Sequence, residues 1–249
     1  MQTITITNQK GGVGKTTTAQ HLAVGLRKKG NRVLLIDADQ QTNLSLATNW
    51  NYNITIYDVM KGNVSTKDAI FHSSQCDIIG GSFRLANADK EFDQTGKEYL
   101  LKEALEQVKD DYDYVIIDTP PALGVITVNA LTCSDKVIIP AQSDVFSIQG
   151  LSQLTNLIST VKKYTNRDLE IDGILLTKFN DRTILNRNLK QTLQNVSETI
   201  GTKVYKSTIR EATAIREAQT KKTNVFDYDK KSKVAKDYSD FVNEFVNSK

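Results

Sequence analysis

Residues 10–17, Lys10-Gly11-Gly12-Val13-Gly14-Lys15-Thr16-Thr17, place two ammonium groups, three glycines and two adjacent hydroxyls in one short run. Glycine lets the backbone take positive φ and approach a ligand with no Cβ in the way. Successive N–H groups can then converge on phosphate oxygens, helped by the positive end of a following helix. In such a loop Lys15 reaches the β- and γ-phosphates and Thr16 offers its hydroxyl to Mg²⁺. The spacing is a shifted form of the phosphate-loop pattern: its usual first glycine falls at Gln9, and Lys10 stands where a neutral residue is usual. That second ammonium is more charge than one triphosphate needs.

Three carboxylates could complete the chemistry. Asp118 ends the apolar run Val115-Ile116-Ile117, the setting of an aspartate that holds Mg²⁺ directly or through water. Asp37 and Asp39 follow Val33-Leu34-Leu35-Ile36. If both were strand-like, alternation would point only one into a site, and either could instead cap a loop. With Lys15 these groups form a nucleotide-hydrolysis constellation. Transfer of a phosphoryl group to water needs an oriented nucleophile and cancelled charge more than it needs covalent chemistry.

These residues need a scaffold, and the hydrophobic pattern supplies one. Residues 3–7 alternate as a strand before the loop, and 16–29 read as a helix stopped by Gly30. Further strands are expected at 33–36, 77–79, 114–118, 137–140, 174–176 and 203–205. Helices are expected at 98–109, 148–163, 184–199 and from about 232. Continuous apolar strands separated by helices predict an α/β fold: one doubly wound, mostly parallel sheet flanked by helices on both faces. Residues 1–249 are expected to form a single domain of the P-loop NTPase type, with no helix-turn-helix module before the first strand. Ligands on such a sheet bind beyond the C-terminal strand ends, where the loop, Asp37, Asp39 and Asp118 all fall.

Composition agrees with a soluble, cytoplasmic protein. Apolar residues make up 39% and charged residues 24%, and no stretch approaches the ~18 apolar residues of a membrane span. Cys76 and Cys133 have no metal-binding spacing. Net charge is +3 but uneven: from Leu151 onward there are 18 Lys and Arg against 12 Asp and Glu. The skew favours a polyanion on the C-terminal half.

The motifs together resemble the ParA/MinD ATPases with their deviant Walker A loop, in which Lys10 matches the signature lysine. Val33-Leu-Leu-Ile-Asp-Ala-Asp39 and Tyr114-Val-Ile-Ile-Asp-Thr-Pro-Pro121 resemble the family's second-strand and Walker B segments. Leu123–Leu131 and Gln149–Leu154 look like the partition subgroup called ParA or Soj. The resemblance implies an ATP hydrolase with Mg²⁺, slow in basal turnover. It implies an ATP-sandwich homodimer in which Lys10 reaches the partner's phosphates, Asp39 positions the attacking water, Thr16 binds Mg²⁺, and Asp37 and Asp118 support the metal shell. It also implies non-specific binding to double-stranded DNA, release on stimulation by a ParB-like protein, association with the nucleoid, and segregation of a plasmid, chromosome or mobile element.

The chain departs from that pattern in two places. Asp39-Gln40-Gln41 replaces Asp-Pro-Gln. Residues 209–218 read Ile-Arg-Glu-Ala-Thr-Ala-Ile-Arg-Glu-Ala, with Ala214 at the position of a family DNA-binding arginine. Arg182, Arg210 and Arg216 are therefore the candidate DNA contacts, although Arg210 and Arg216 also have Glu211 and Glu217 nearby for helix-surface ion pairs. A MinD-like membrane-associated ATPase is the alternative reading. It would need a free basic amphipathic C-terminal helix, whereas the stripe Val234, Tyr238, Phe241, Val242 and Phe245 is expected to dock on the core. An iron-protein-like electron-transfer ATPase would need its cysteines in glycine-rich ligand loops, and small buried thiols are expected instead.

Overall fold

Strands β2 (Val33–Asp37) and β5 (Tyr114–Asp118) are buried at every position, as strands covered on both faces must be. The computed structural model describes residues 1–142, 145–180 and 184–248. Among these, eight strands form one sheet in the order β3-β4-β2-β5-β1-β6-β7-β8. The remaining strands are β1 (Gln2–Ile6), β3 (Phe71–His72), β4 (Asp77–Ile79), β6 (Lys136–Ala141), β7 (Glu170–Thr177) and β8 (Val204–Ile209). All neighbours pair parallel except β3 with β4. The doubly wound α/β expectation holds, and the two-residue antiparallel edge strand β3 is an addition too short to carry a periodic signal.

Helix α1 (Lys15–Lys28) follows the glycine loop directly, and Gly14 caps it in a left-handed conformation with φ 88°. No side chain caps α1, so its first N–H groups face the loop. After β2 come α2 (Asn43–Ala47) and α3 (Ile56–Met60), then α4 (Ala88–Glu91), α5 (Leu100–Glu106) and α6 (Val125–Thr132). The long helices α7 (Val145–Tyr164) and α8 (Ile184–Thr199) flank β7, and α9 (Thr213–Thr220), α10 (Val225–Tyr228) and α11 (Lys233–Asn247) close the chain. The expected helix at 98–109 is shorter: a 3₁₀ turn at Lys97–Tyr99 leads into α5. The short helices α2, α3, α4, α6, α9 and α10 were not legible, because pieces of four to eight residues take their stability from packing rather than propensity.

Helix α11 docks as its stripe predicts. Val234, Tyr238, Phe241, Val242 and Phe245 are all buried in one cluster with α1 and the sheet. Gly25 permits the approach of α1 to α11, since a Cβ there would lie 2.6 Å from Val242. The apolar face a membrane helix would need is thus committed to the core. No helix among the described residues is long and apolar enough to cross a membrane.

Candidate functional site

A cleft of about 610 Å³ opens beyond the C-terminal ends of the strands. Its floor is the glycine loop, with Gly11, Gly12, Gly14, Lys15, Thr16 and Thr17. Gly12 and Gly14 have φ of 73° and 88°, which the notched loop requires. Residues outside the motif hold it. Asn8 Nδ2 donates to Pro140 O at 2.7 Å while Asn8 Oδ1 accepts from the Lys10 N–H at 3.0 Å. Thr177 Oγ1 donates to Val13 O at 2.7 Å, and Gln142 Nε2 to Gly12 O at 3.2 Å. Sequence reading missed Asn8 and Thr177; their position beside strand ends was the only available signal.

Lys15 is buried, and its Nζ donates to Lys10 O at 3.2 Å. Burial pulls its pKa below the ordinary lysine value, while the carboxylates of Asp118 and Asp39 oppose that shift by attraction. The two sequence-distant aspartates and the loop lysine therefore share one electrostatic environment.

The three carboxylates have different surroundings. Asp118 is buried, and neither oxygen has a partner in full hydrogen-bond geometry among the described residues, although the Thr16 hydroxyl lies close enough to favour its charged form. Its pKa stands well above the usual carboxylate range, first from burial and then from repulsion by Asp37, the residue paired with it across β2 and β5. A buried carboxylate so poorly supplied with donors is a site in want of a cation.

Asp37 is spent on its own loop. Its Oδ2 accepts from the N–H and hydroxyl of Ser45 at 2.8 and 2.7 Å, and its Oδ1 from the Asp39 N–H at 3.2 Å. Burial still raises its pKa to about 6. The loop-cap alternative describes Asp37 best, since these bonds fix α2 rather than leave both oxygens for a metal.

Asp39 lines the cleft, and its Oδ1 accepts from the Gln41 N–H at 3.0 Å. This local turn orders the segment where the family's proline is missing, and it carries the chain into Thr42, whose φ is 52°. The expected alternation is not what parts them: positions i and i+2 of a strand share a face, and Asp37 and Asp39 separate because β2 ends at Asp37, leaving Asp39 in the loop that faces the cleft.

The opposite wall is built from the end of β8 and from α9, with Arg210, Glu211, Ala212, Ile215, Arg216 and Gln219. Arg210 forks onto Asp237 of α11, Nε to Oδ2 at 2.6 Å and Nη2 to Oδ1 at 2.7 Å, a partner that the local helix spacing did not suggest. Gln219 Nε2 donates to Thr17 Oγ1 at 3.3 Å, tying α9 to the loop helix. Arg210 and Arg216 therefore border the cleft as well as being exposed, and Arg182 lies outside the described residues. Cys76 is buried with its thiol pushed up to about 12, and Cys133 Sγ donates to Ala130 O, as packed thiols do.

Comparison with known proteins places the chain among nucleotide-handling relatives. The model of a family described as an AAA domain matches residues 1–171. The sporulation initiation inhibitor protein Soj of Bacillus subtilis is 40% identical over 97% of this chain and 96% of its own length. The chromosome partitioning protein ParA of Caulobacter vibrioides is 37% identical over 99% of this chain and 94% of its own. Among solved structures, a cobyrinic acid a,c-diamide synthase from Mycobacterium smegmatis with bound ATP analog and magnesium superposes with a TM-score of 0.86. It is 31% identical and matches 98% of this chain and 93% of that one. A shared fold hosts more than one reaction, so function rests on the site and on the full-length relatives.

Proposed function

The chain belongs to the ParA/Soj family of partition ATPases, and from that premise we propose that it binds ATP with Mg²⁺ in the cleft, hydrolyses it slowly, and uses the cycle to segregate DNA. Residues 1–249 would act as one ATPase domain. The observation that carries the reading is the junction of the glycine loop, buried Lys15 and the buried carboxylate of Asp118, with the Thr16 hydroxyl beside it, at one end of the sheet.

Each group has a distinct task in this reading. The N–H groups of Gly11–Thr17 and the Lys15 ammonium hold the β- and γ-phosphates, and burial strengthens that attraction by thinning the surrounding water. Thr16 and Asp118 would hold Mg²⁺, with Asp37 acting behind them through α2. No group of three or more acidic, His or Cys side chains forms a metal cluster among the described residues. That suits Mg²⁺, which is commonly held by one or two protein groups with phosphate oxygens and water. The bound ion would supply charge neutralisation on the phosphates. Asp39, facing the cleft, orients the attacking water.

Lys10 completes the neighbouring subunit's site in an ATP-dependent homodimer, which accounts for an ammonium beyond what one triphosphate needs. The dimer binds double-stranded DNA without sequence preference, through Arg182 and Arg216 and with Arg210 shared between DNA and the cleft wall. A ParB-like partner triggers hydrolysis and release, and the protein is expected in the cytoplasm on the nucleoid.

The test is phosphate release from ATP by the purified chain, with and without DNA and a ParB-like protein. Slow turnover that rises when both are added is expected, together with DNA affinity that falls steeply with salt. Failure to bind ATP in the presence of Mg²⁺ would sink the proposal. ATP-dependent pelleting with liposomes, without DNA binding, would move it to the MinD-like alternative.

A further inference from the structure

The two side walls of the cleft, α2 and α9, hang from one buried group of amides. Ala47 O, at the C-terminal end of α2, accepts from Gln75 Nε2 at 3.1 Å and from Gln20 Nε2 at 3.2 Å. Gln75 Nε2 also donates to Lys222 O at 3.1 Å, just past the end of α9. Its Oε1 accepts from Gln20 Nε2 at 2.9 Å and from Asn224 Nδ2 at 3.4 Å. Gln20 and Asn224 are fully buried and Gln75 nearly so.

An amide nitrogen carries two protons. Those of Gln75 go to one carbonyl from each wall, so moving either wall alone strips a buried partner from the same side chain. The turn that carries Gln75 is itself pinned. Ser73 Oγ accepts from the N–H groups of Gln75 and Cys76 at 3.1 and 3.2 Å, and Arg27 donates to the carbonyls of Ser74 and Gln75. At its other end, α2 is bonded through Ser45 to Asp37, two residues before Asp39. Gln20 Nε2 spans the same walls through Ala47 O and, at 3.4 Å, Thr223 O, but Gln75 makes the shorter bond to the α9 side, so a displacement of α9 is passed mainly through Gln75 to the segment that bears Asp39.

We propose that Gln75 is a positioning residue that couples seating of the nucleoside against α9 to placement of Asp39 beside the terminal phosphate. The inference rests on the reading of the cleft as an ATP site. It makes the base part of the catalytic trigger: a triphosphate without a base fills the loop but leaves α9, and hence Asp39, unset.

Gln75→Met removes the amide at similar volume, and Gln75→Asn keeps an amide on a shorter stem. Trp50 is the one tryptophan of the chain. Its backbone N–H donates to Ser45 O at 3.0 Å and its ring packs on Gly80, so its emission reports α2. In the wild type, ATP should shift that emission and inorganic tripolyphosphate should not. Gln75→Met should bind ATP within about threefold of wild type, lose the ATP-induced shift, and lower kcat about tenfold with KM little changed, the scale of one buried amide contact. Gln75→Asn should fall between the two, and it serves as the variant of record if Gln75→Met does not fold. A folded Gln75 variant with wild-type kcat and a full emission shift would overturn the coupling alone. A wild type that binds no ATP would overturn the cleft reading and this inference with it.

Discussion

The cleft has two sides of different origin. The phosphate side is a contiguous run of sequence, residues 10–17, whose backbone N–H groups and two lysines sit within one loop and one helical turn. The other side, the base side where the proposed nucleoside would lie, is assembled from the end of β8, α9 and α11, and its contacts join residues 27 to 202 positions apart: Arg210 to Asp237 and Gln219 to Thr17. The first side is defined by local conformation, and the second exists only once the sheet and the C-terminal helices have packed. Changes on the phosphate side should therefore abolish chemistry outright, while changes on the base side should loosen it by degrees.

The sharpest way to break this comparison is Lys15→Ala. Losing a buried, charge-assisted phosphate contact should weaken ATP binding by about a hundredfold or more, read by calorimetric titration. Binding within tenfold of wild type would place the phosphate elsewhere. Asp39→Ala should come next, lowering turnover roughly a hundredfold while ATP affinity stays near wild type, because water positioning acts in the transition state. Normal turnover would remove Asp39 from that role. Lys10→Ala should spare most ATP affinity and prevent the ATP-dependent dimer in sedimentation; an unchanged dimer would refute its cross-subunit reach.

Stability against pH separates the two sides by a smaller effect. His21 lies in the second turn of α1; its Nδ1–H donates to Thr17 O at 2.7 Å, and its Nε2 accepts from the Val225 N–H at 3.0 Å. With both nitrogens so used the ring must be neutral, and burial lowers its pKa from 6.5 to about 4. A depressed histidine contributes stability that is present above about pH 6.5 and lost as pH falls toward 4. Asp37 works in the opposite sense: its pKa is raised to about 6, so its ionisation cost is relieved as pH falls below that value. In the absence of nucleotide and metal, Asp37→Asn removes one of the two raised carboxylates that oppose the histidine loss, Asp118 being the other, so the variant should lose more stability than wild type between pH 7 and 5. Equal pH slopes for the two proteins in urea melts would contradict these assignments.

The mildest test lies on the base side. Asp237→Asn removes the charge of a fork to Arg210, whose side chain is 46% exposed. Exposure and salt screening limit such a pair, so ATP affinity should fall about two- to fivefold, with tripolyphosphate binding unchanged. An equal loss for both ligands would mean that the two sides are not separable.

The chain itself determined its layers and its phosphate chemistry. Continuous apolar strands of five or so residues cannot face water, so a single, mostly parallel sheet and the placement of Asp118 at a strand end followed from pattern alone. Gly12 and Gly14 fixed the loop because few other residues tolerate its backbone. The different fates of Asp37 and Asp39 were not readable from alternation, since positions i and i+2 share a face, and it took Ser45, eight residues beyond Asp37, to show that this carboxylate bonds α2. Arg210 and Arg216 looked like surface charge by composition, and packing brought both to the mouth of the cleft. The short helices α2 and α9 and the amides of Gln20, Gln75 and Asn224 were decided by tertiary structure. Their hydrogen bonds span as many as 203 positions, and no local period encodes a contact whose partner arrives from the other end of the chain.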